Sequence, residues 1–484
     1  MSGDLKAKRE QHEHALRGGA LGLFDSVVMA VAGVAPGYSI AAATAGLAAV
    51  VGLGGAASLL YCGVAMFGIV FAFNFLGRVE TNAGASYSWV RRALHPALGY
   101  LSGWAVVVSA LIFMVAATVP VGANLLGLFS TSAANNVGEV TIIGAIFFLL
   151  MVGAVAAGVT ITVTVQIIMS TIEIAILLIF AVLALVNGHH VVAFSWHWFS
   201  PSIFHGSTGF FGGALIAAFY YWGWDVTANL NEETKSSKKT PGIGGIVGIV
   251  FVFLLFEVFT VATNLVLTSS QISNNAADVL AVLGQAVWHG TGGKIIVIAV
   301  VLSTVATLET TLIQVTRTLF SMGRDHTLPK ALGTVHSHRK TPLVATGVVT
   351  IVSLGLFIGS QYVGSIRTIL GDAISAIGLQ IAIYYSLAGL AVVMLYRRQL
   401  LKSASNFLFM GLWPLVGAIF MILMFIKTIP TLNATTLWVG LGAMALGLIP
   451  MTYYWVKGNP YFTIPDKEDR HAVMEEMEEL EMNL

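Results

Sequence analysis

Charge is scarce in this chain. Asp, Glu, Lys and Arg make up 10% of its 484 residues, where a soluble domain carries about 25%. That excludes an ordinary water-soluble fold. The formal net charge is +1, and no basic cluster is interleaved with aromatics, so nucleic acid is not an expected partner. There is one cysteine, Cys62, which excludes an intramolecular disulfide and a cysteine metal cluster. No nucleophile–base pair or metal motif occurs, so neither an enzyme nor a bound metal or cofactor is expected. Residues 1–20 are polar, and no cleavable signal peptide is expected.

Hydrocarbon is abundant instead. Hydrophobic residues are 57% of the chain and the mean hydropathy is +0.85. The length allows roughly a dozen spans of about 20 residues. Twelve apolar spans are read near 24–50, 56–76, 100–127, 139–157, 162–186, 210–229, 243–267, 294–322, 343–360, 368–396, 406–427 and 433–456. The expected fold class is therefore an all-α polytopic membrane protein. Placing the N-terminus in the cytoplasm puts all 24 Lys and Arg residues inside except Lys294, Arg367 and Lys427. Both termini are expected there, in a cell membrane, by the positive-inside rule.

The most unusual stretch is 218–241, AFYYWGWDVTANLNEETKSSKKTP. It begins as a membrane helix, then runs through Phe219, Trp222, Gly223 and Trp224 into Asp225. Glycine costs about 1 kcal/mol relative to alanine inside a helix. A carboxylate in hydrocarbon costs about 2.5–3.5 kcal/mol even on the lenient scale. A helix that only crosses the bilayer has no use for either, whereas unwound backbone is tolerated where it lines a cavity or is buried in protein. Residues 219–225 are thus read as half of a substrate site.

The first span carries Ala35-Pro36-Gly37 about as far from its start as the sixth carries Trp222-Gly223-Trp224. Five spans separate the two, an odd number, so the sixth enters from the opposite side. Spans 1–5 and 6–10 then form two copies in inverted topology, with a midplane site where their broken lead helices meet. The ordinary alternative is a proline kink in one helix and a packing glycine in the other. The chain divides accordingly into a segment 1–20, a first repeat 21–190, a second repeat 205–400, two further helices in 406–456 and an acidic tail 457–484. The last two helices pack peripherally or at a homodimer interface.

Three glutamates lie near span centres: Glu173, Glu257 and Glu309. Ionised and unpaired, they would together cost roughly 8–10 kcal/mol. The same spans hold no Lys or Arg at that depth. Burial favours the neutral carboxyl, which suits a group that takes up and releases a coupling proton. Ser303, Thr304, Thr307, Thr310 and Thr311 offer hydroxyls that a sodium ion can use. Protonated helix-to-helix hydrogen bonds are the plainer role for such acids. Elsewhere, Gly244 and Gly248 offer a face for close helix packing. Arg78, Arg91 and Arg92 mark the inner interface, where Tyr87 and Trp89 suit the headgroup layer. Asp25 reads as an interfacial cap, and Gln380 and Tyr384 as one face of the tenth span. The histidines at 189, 190, 197 and 205 read as a solvated loop. GTGGK at 290–294 has Ile295 where a phosphate loop needs Ser or Thr.

Four stretches carry a family resemblance: LRGGALGLFD (16–25), NAGASYSWVRRALHPALGYLSGW (82–104), FYYWGWDVTANLNEETKSSKKTP (219–241) and VTRTLFSMGRDHTLPKALGTVHSHRKTP (315–342). Together they resemble the amino acid–polyamine–organocation permeases. The resemblance implies two inverted five-helix repeats (the LeuT-like fold) plus two extra helices, and import or exchange of an amino acid or related amine. In that family a Gly-Ser-Gly break holds the substrate carboxylate through backbone groups. Ala35, Pro36 and Gly37 occupy that position here, and Pro36 has no N–H to give, which brings a polyamine or other organocation forward as the alternative. Phe219 matches the family's aromatic gate and Asp225 a position where an acid is frequent. Glu173 stands where many members carry a lysine in place of a sodium ion. The implied mechanism is alternating access driven by a proton, with sodium coupling or exchange next. The rival class is a membrane ligand sensor that moves nothing.

Overall fold

The computed structural model describes residues 15–186, 188–275, 279–360 and 366–463; residues 1–14 and the acidic tail from 464 lie outside the described residues. The described chain is helical, with one isolated bridge between Leu21 and Thr234. Among the described residues, ten helical stretches are long and apolar enough to cross a membrane. Every expected span coincides with helix. Three of them do not stand as separate long helices: the first two form one stretch, Leu23–Val79, and the sixth stops after fifteen residues, at Gly206–Tyr220.

The first departure arises because a short 3-10 turn, Gly52–Gly54, joins the first span to the second without a loop, and the second arises at the break in the sixth. The first span consists of α1 (Leu23–Val34) and α2 (Pro36–Val51), joined by Ala35 in the left-handed region at φ 51°. Pro36 is therefore no mid-helix kink. It sits in the first turn of a new helix, where its missing N–H has no partner to lose. After α3 (Gly55–Val79), α4 (Ser86–Ala93), α5 (Pro96–Gly127), α6 (Val137–Ala157) and α7 (Val159–Val186) comes the second broken pair. Its first half is α8 (Gly206–Tyr220), and its second is the single turn α9 (Val226–Asn229). Between them Gly223 takes φ 107°, a conformation closed to other residues without strain. The chain continues through α10 (Thr240–Val266), α11 (Gly292–Arg324), α12 (Leu343–Ser360) and α13 (Ile366–Leu395). It ends in α14 (Trp413–Thr428) and the helical run through α15 (Leu448–Val456).

The helices sort by burial. In α5, 83% of the most apolar stretch is buried, and in α11 and α13 72%, against 28% in α6 and α12. At the centre α11 and α13 each pack on α5. Peripheral α6 turns Ile142, Ile146, Leu149 and Leu150 outward, an apolar stripe at helical spacing. Acids and amides, among them Gln166, Glu173, Asp225, Glu309 and Gln314, are buried. Apolar outside and polar within is the arrangement that lipid favours.

The small face expected on α10 packs on α1. A Cβ added at Gly244 would lie 2.5 Å from Ser26 Cβ, and one at Gly248 2.5 Å from Ala30 Cβ. Asp25 caps α1 by accepting from the Gly22 N–H at 2.7 Å. Tyr87 and Trp89, expected at the inner interface, do not face outward: both are buried. Trp89 donates to the Glu80 carbonyl at 2.8 Å and packs edge-on against Phe73, while Tyr87 stacks on Tyr461. Their polar tips find protein partners, so the rings are drawn inward.

Candidate functional site

The two breaks meet. A Cβ added at Gly33 would sit 2.2 Å from the Gly223 carbonyl oxygen, and one at Gly223 2.2 Å from the Gly33 oxygen. Only bare backbone fits on either side. Ala35, Pro36, Gly37, Phe219, Trp222, Trp224 and Asp225 are all buried around this contact. The Gly33 carbonyl, freed by the break, accepts from Thr307 Oγ1 of α11 at 3.0 Å.

The start of α2 is closed by side chains from other helices. Pro36 has no donor. The Gly37 N–H donates to Glu173 Oε1 of α7 at 2.9 Å, and the Tyr38 N–H to Ser303 Oγ of α11 at 3.0 Å. The Ser39 N–H turns back to the Ala35 carbonyl at 2.8 Å. A helix N-terminus attracts a carboxylate, and here the protein supplies one. Glu173 is fully buried, and its second oxygen has no partner.

The second break carries its own acid. Asp225 Oδ2 accepts from Gln314 Nε2 at 2.8 Å and from the Tyr384 hydroxyl at 3.0 Å, and that hydroxyl accepts from the Trp222 indole N–H at 2.7 Å. Asp225 Oδ1 is buried without a partner. The donors at the start of α9 are used: Val226, Thr227 and Ala228 give their N–H groups to the carbonyls of Gly223, Trp224 and Asp225.

Four rings form a box beside the breaks. Phe113 of α5 lies 5.5 Å from Tyr38, 6.3 Å from Phe219 and 5.3 Å from Trp222, and Tyr38 lies 6.3 Å from Phe219. The Tyr38 hydroxyl is buried and unpartnered. Trp224 is not part of this box. Its ring packs on Phe73 and Tyr385, on the other side of the break.

The remaining acids are elsewhere. Glu309 accepts from the Gln166 amide of α7. Glu257 is half-buried on α10, and neither carboxyl oxygen has a partner. Gln380 and Tyr384 part company, since Gln380 donates to the Gly440 carbonyl at 3.0 Å. Of the α11 hydroxyls, Ser303 and Thr307 reach the first break, while Thr304 and Thr310 turn back on their own helix. Sequence reasoning missed Tyr38, Phe113, Gln166 and Gln314. The signal for Gln314 was present: Ser303, Thr307 and Gln314 recur at helical spacing in an apolar helix.

A second locus lies at the end of the bundle that gathers the basic loops. There the Arg317 guanidinium clasps the Glu233 carboxylate with Nε–Oε2 at 3.0 Å and Nη2–Oε1 at 3.2 Å, both residues buried. Arg324 holds Glu232 at 2.9 Å and 3.2 Å. Glu232 also accepts the Ala83 N–H at 2.8 Å, and the Ala83 carbonyl accepts from Asn229 at 2.7 Å. Ser321 donates to Asn82 at 2.6 Å. The Ala20 and Leu21 N–H groups donate to the Glu233 carbonyl at 2.8 and 3.1 Å. Stretches 16–25, 82–104, 219–241 and 315–342, far apart in sequence, thus converge here.

A family model described as "Amino acid permease" matches residues 21–451. The chain belongs to the amino acid permease family. Two relatives bear the same name, branched-chain amino acid permease BcaP. The one from Lactococcus lactis subsp. cremoris (strain MG1363) is 25% identical over 312 residues, 61% of this chain and 65% of that protein. The one from Bacillus subtilis (strain 168) is 30% identical over 179 residues, 37% of each. Less than two thirds of either relative's length is matched. The model match runs across both breaks and the clasped locus, so this permease-family chain shares with its family the region that builds the site.

Proposed function

We propose that the protein is a secondary transporter that imports or exchanges an amino acid or related amine across the cytoplasmic membrane by alternating access. The observation that carries this reading is the buried meeting of two broken helices, Gly33 against Gly223, beside unpartnered carboxyl oxygens and an aromatic box. Broken helices that meet in the membrane interior are how transporters build midplane sites. Counting Leu23–Val79 as two spans and adding the interrupted 206–229 to the ten long stretches gives twelve. The inverted repeat with cytoplasmic termini then follows from the odd spacing of the breaks and the positive-inside bias. The relatives' names put branched-chain amino acids among the candidate substrates. Uptake of labelled amino acids and amines into liposomes holding only this protein tests the reading; ligand binding without flux would turn it into a sensor.

Coupling falls to Glu173, which ties α7 to the first break through Gly37. Glu173→Gln keeps an acceptor for that N–H but cannot exchange a proton. It is expected to abolish concentrative uptake while leaving counterflow exchange partly intact. A mutant that still concentrates substrate between about pH 5 and 8 would assign coupling elsewhere, with Glu309, Glu257 or the Ser303 and Thr307 hydroxyls next in line for a proton or sodium.

Phe219 closes one side of the box. Phe219→Ala removes a ring that touches Tyr38 and Phe113. The expected result is an apparent affinity weaker by about tenfold, the scale of one lost cation–π or packing contact, with expression unchanged. Saturation kinetics of uptake measure it, and an unaltered KM would remove Phe219 from the site.

A further inference from the structure

Each broken helix has its own carboxyl group at the restart: Glu173 at α2 and Asp225 at α9. The backbone donors that a ligand carboxylate would need are already committed, to Glu173, Ser303 and carbonyls of the same turns. Helices α1, α2, α5, α7, α8 and α9 contain no Lys, Arg or His. On α11, Arg317 is engaged by Glu233, and Lys294 and Arg324 stand at the helix ends. No cation on these elements is left to meet a carboxylate. What remains is the Tyr38–Phe113–Phe219–Trp222 box, the free oxygen of Asp225 and the unpartnered Tyr38 hydroxyl. Aromatic faces and an acid suit a positively charged nitrogen.

We infer that this site selects organic amines without a free carboxylate, and that Glu173 sets the selection by occupying the α2 N-terminus where a substrate carboxylate would otherwise bind. The inference rests on the transport reading above and narrows its substrate class. An α-amino acid has to bring its carboxylate against Asp225 or displace Glu173 from Gly37. The corresponding amine or amide does neither. The backbone donors of both breaks are spent within the protein, so a second anionic group finds neither a free N–H of the breaks nor a cation, and a buried group poorly partnered weighs against binding.

The test uses matched sets: leucine, leucinamide and isoamylamine; phenylalanine, phenylalaninamide and phenethylamine; lysine and cadaverine. Each is measured by thermal shift and by competition on the purified full-length protein, then by counterflow in liposomes. In the wild type, the amine or amide of at least one set is expected to bind about tenfold or more tightly than its parent acid, the discrimination typical of a buried group left unpaired. Glu173→Ala, which frees the Gly37 N–H, is expected to narrow that ratio by improving binding of the parent acid. Asp225→Asn is expected to weaken the amines and leave the ratio between acids unchanged. A wild type that prefers the parent amino acids in every set overturns the inference and leaves the transporter reading standing. Binding in the predicted order without counterflow of any compound keeps the inference about the site and removes transport. No binding of any compound removes both. The wild-type comparison decides the matter even where a variant does not fold.

Discussion

Replacing Gly33 with alanine is expected to abolish transport. The added methyl carbon would sit 2.2 Å from the Gly223 carbonyl oxygen and 2.8 Å from its carbon, and all three are backbone-bound. No side-chain rotamer can relieve that collision, so the two breaks must move apart. Overpacking a tight core costs about 1–3 kcal/mol or more, and here the displaced parts are the site itself. Uptake is expected to fall at least about a hundredfold, the scale that a misplacement of about 1 Å can cost. Gly223→Ala is expected to be worse, because it meets the same obstacle from the other side at φ 107°. Gly347→Ala, with open space around its Cβ, is the control. Initial uptake rates, normalised to folded protein by size-exclusion chromatography, check it. A Gly33→Ala protein that transports normally would mean that the breaks are not held in contact.

Removing Arg317 is expected to have the largest effect on stability. Its guanidinium is the ionic partner of a fully buried Glu233. Burial pushes the Glu233 carboxyl above the ordinary carboxylate range, and the Arg317 charge pulls it back. Arg317→Met leaves that acid uncompensated, which costs about 3–5 kcal/mol. The sign of the pH dependence follows. With its folded-state pKa raised, Glu233 favours folding most when protonated, so the deficit of Arg317→Met shrinks as pH falls and grows as pH rises. The double variant Arg317→Met, Glu233→Leu replaces both charges with apolar groups, and such replacements are often neutral. It is expected to regain most of the melting temperature in detergent. If the single variant melts like the parent at every pH, the pair is not a structural clasp.

This locus also explains why the family was legible in the sequence while the site was only half so. The stretches with the clearest likeness are short, polar and specific because four loops must satisfy one another's groups at one place. Glu232 serves both Arg324 and the Ala83 N–H, and Asn229 serves Ala83 from the other side. Such exact pairings leave little freedom of residue type and so remain readable. The breaks were legible for a different reason. Glycine, proline and aspartate inside an apolar run violate the helix pattern, and a violation points to function.

The chain by itself determined that it lies in a membrane, roughly where its helices run and where two of them are interrupted, because those properties depend on local composition and backbone preference. Tertiary structure alone decided what the interruptions face. Glu173 reaches Gly37 across 136 positions, Tyr38 meets Ser303 across 265, and Trp222 joins Asp225 only through Tyr384. It also sent Glu309 to Gln166 and drew Trp89 inward to the Glu80 carbonyl. In a bundle, the direction of a side chain is set by helix rotation and packing, and partners distant in the chain leave no trace in the spacing of either one.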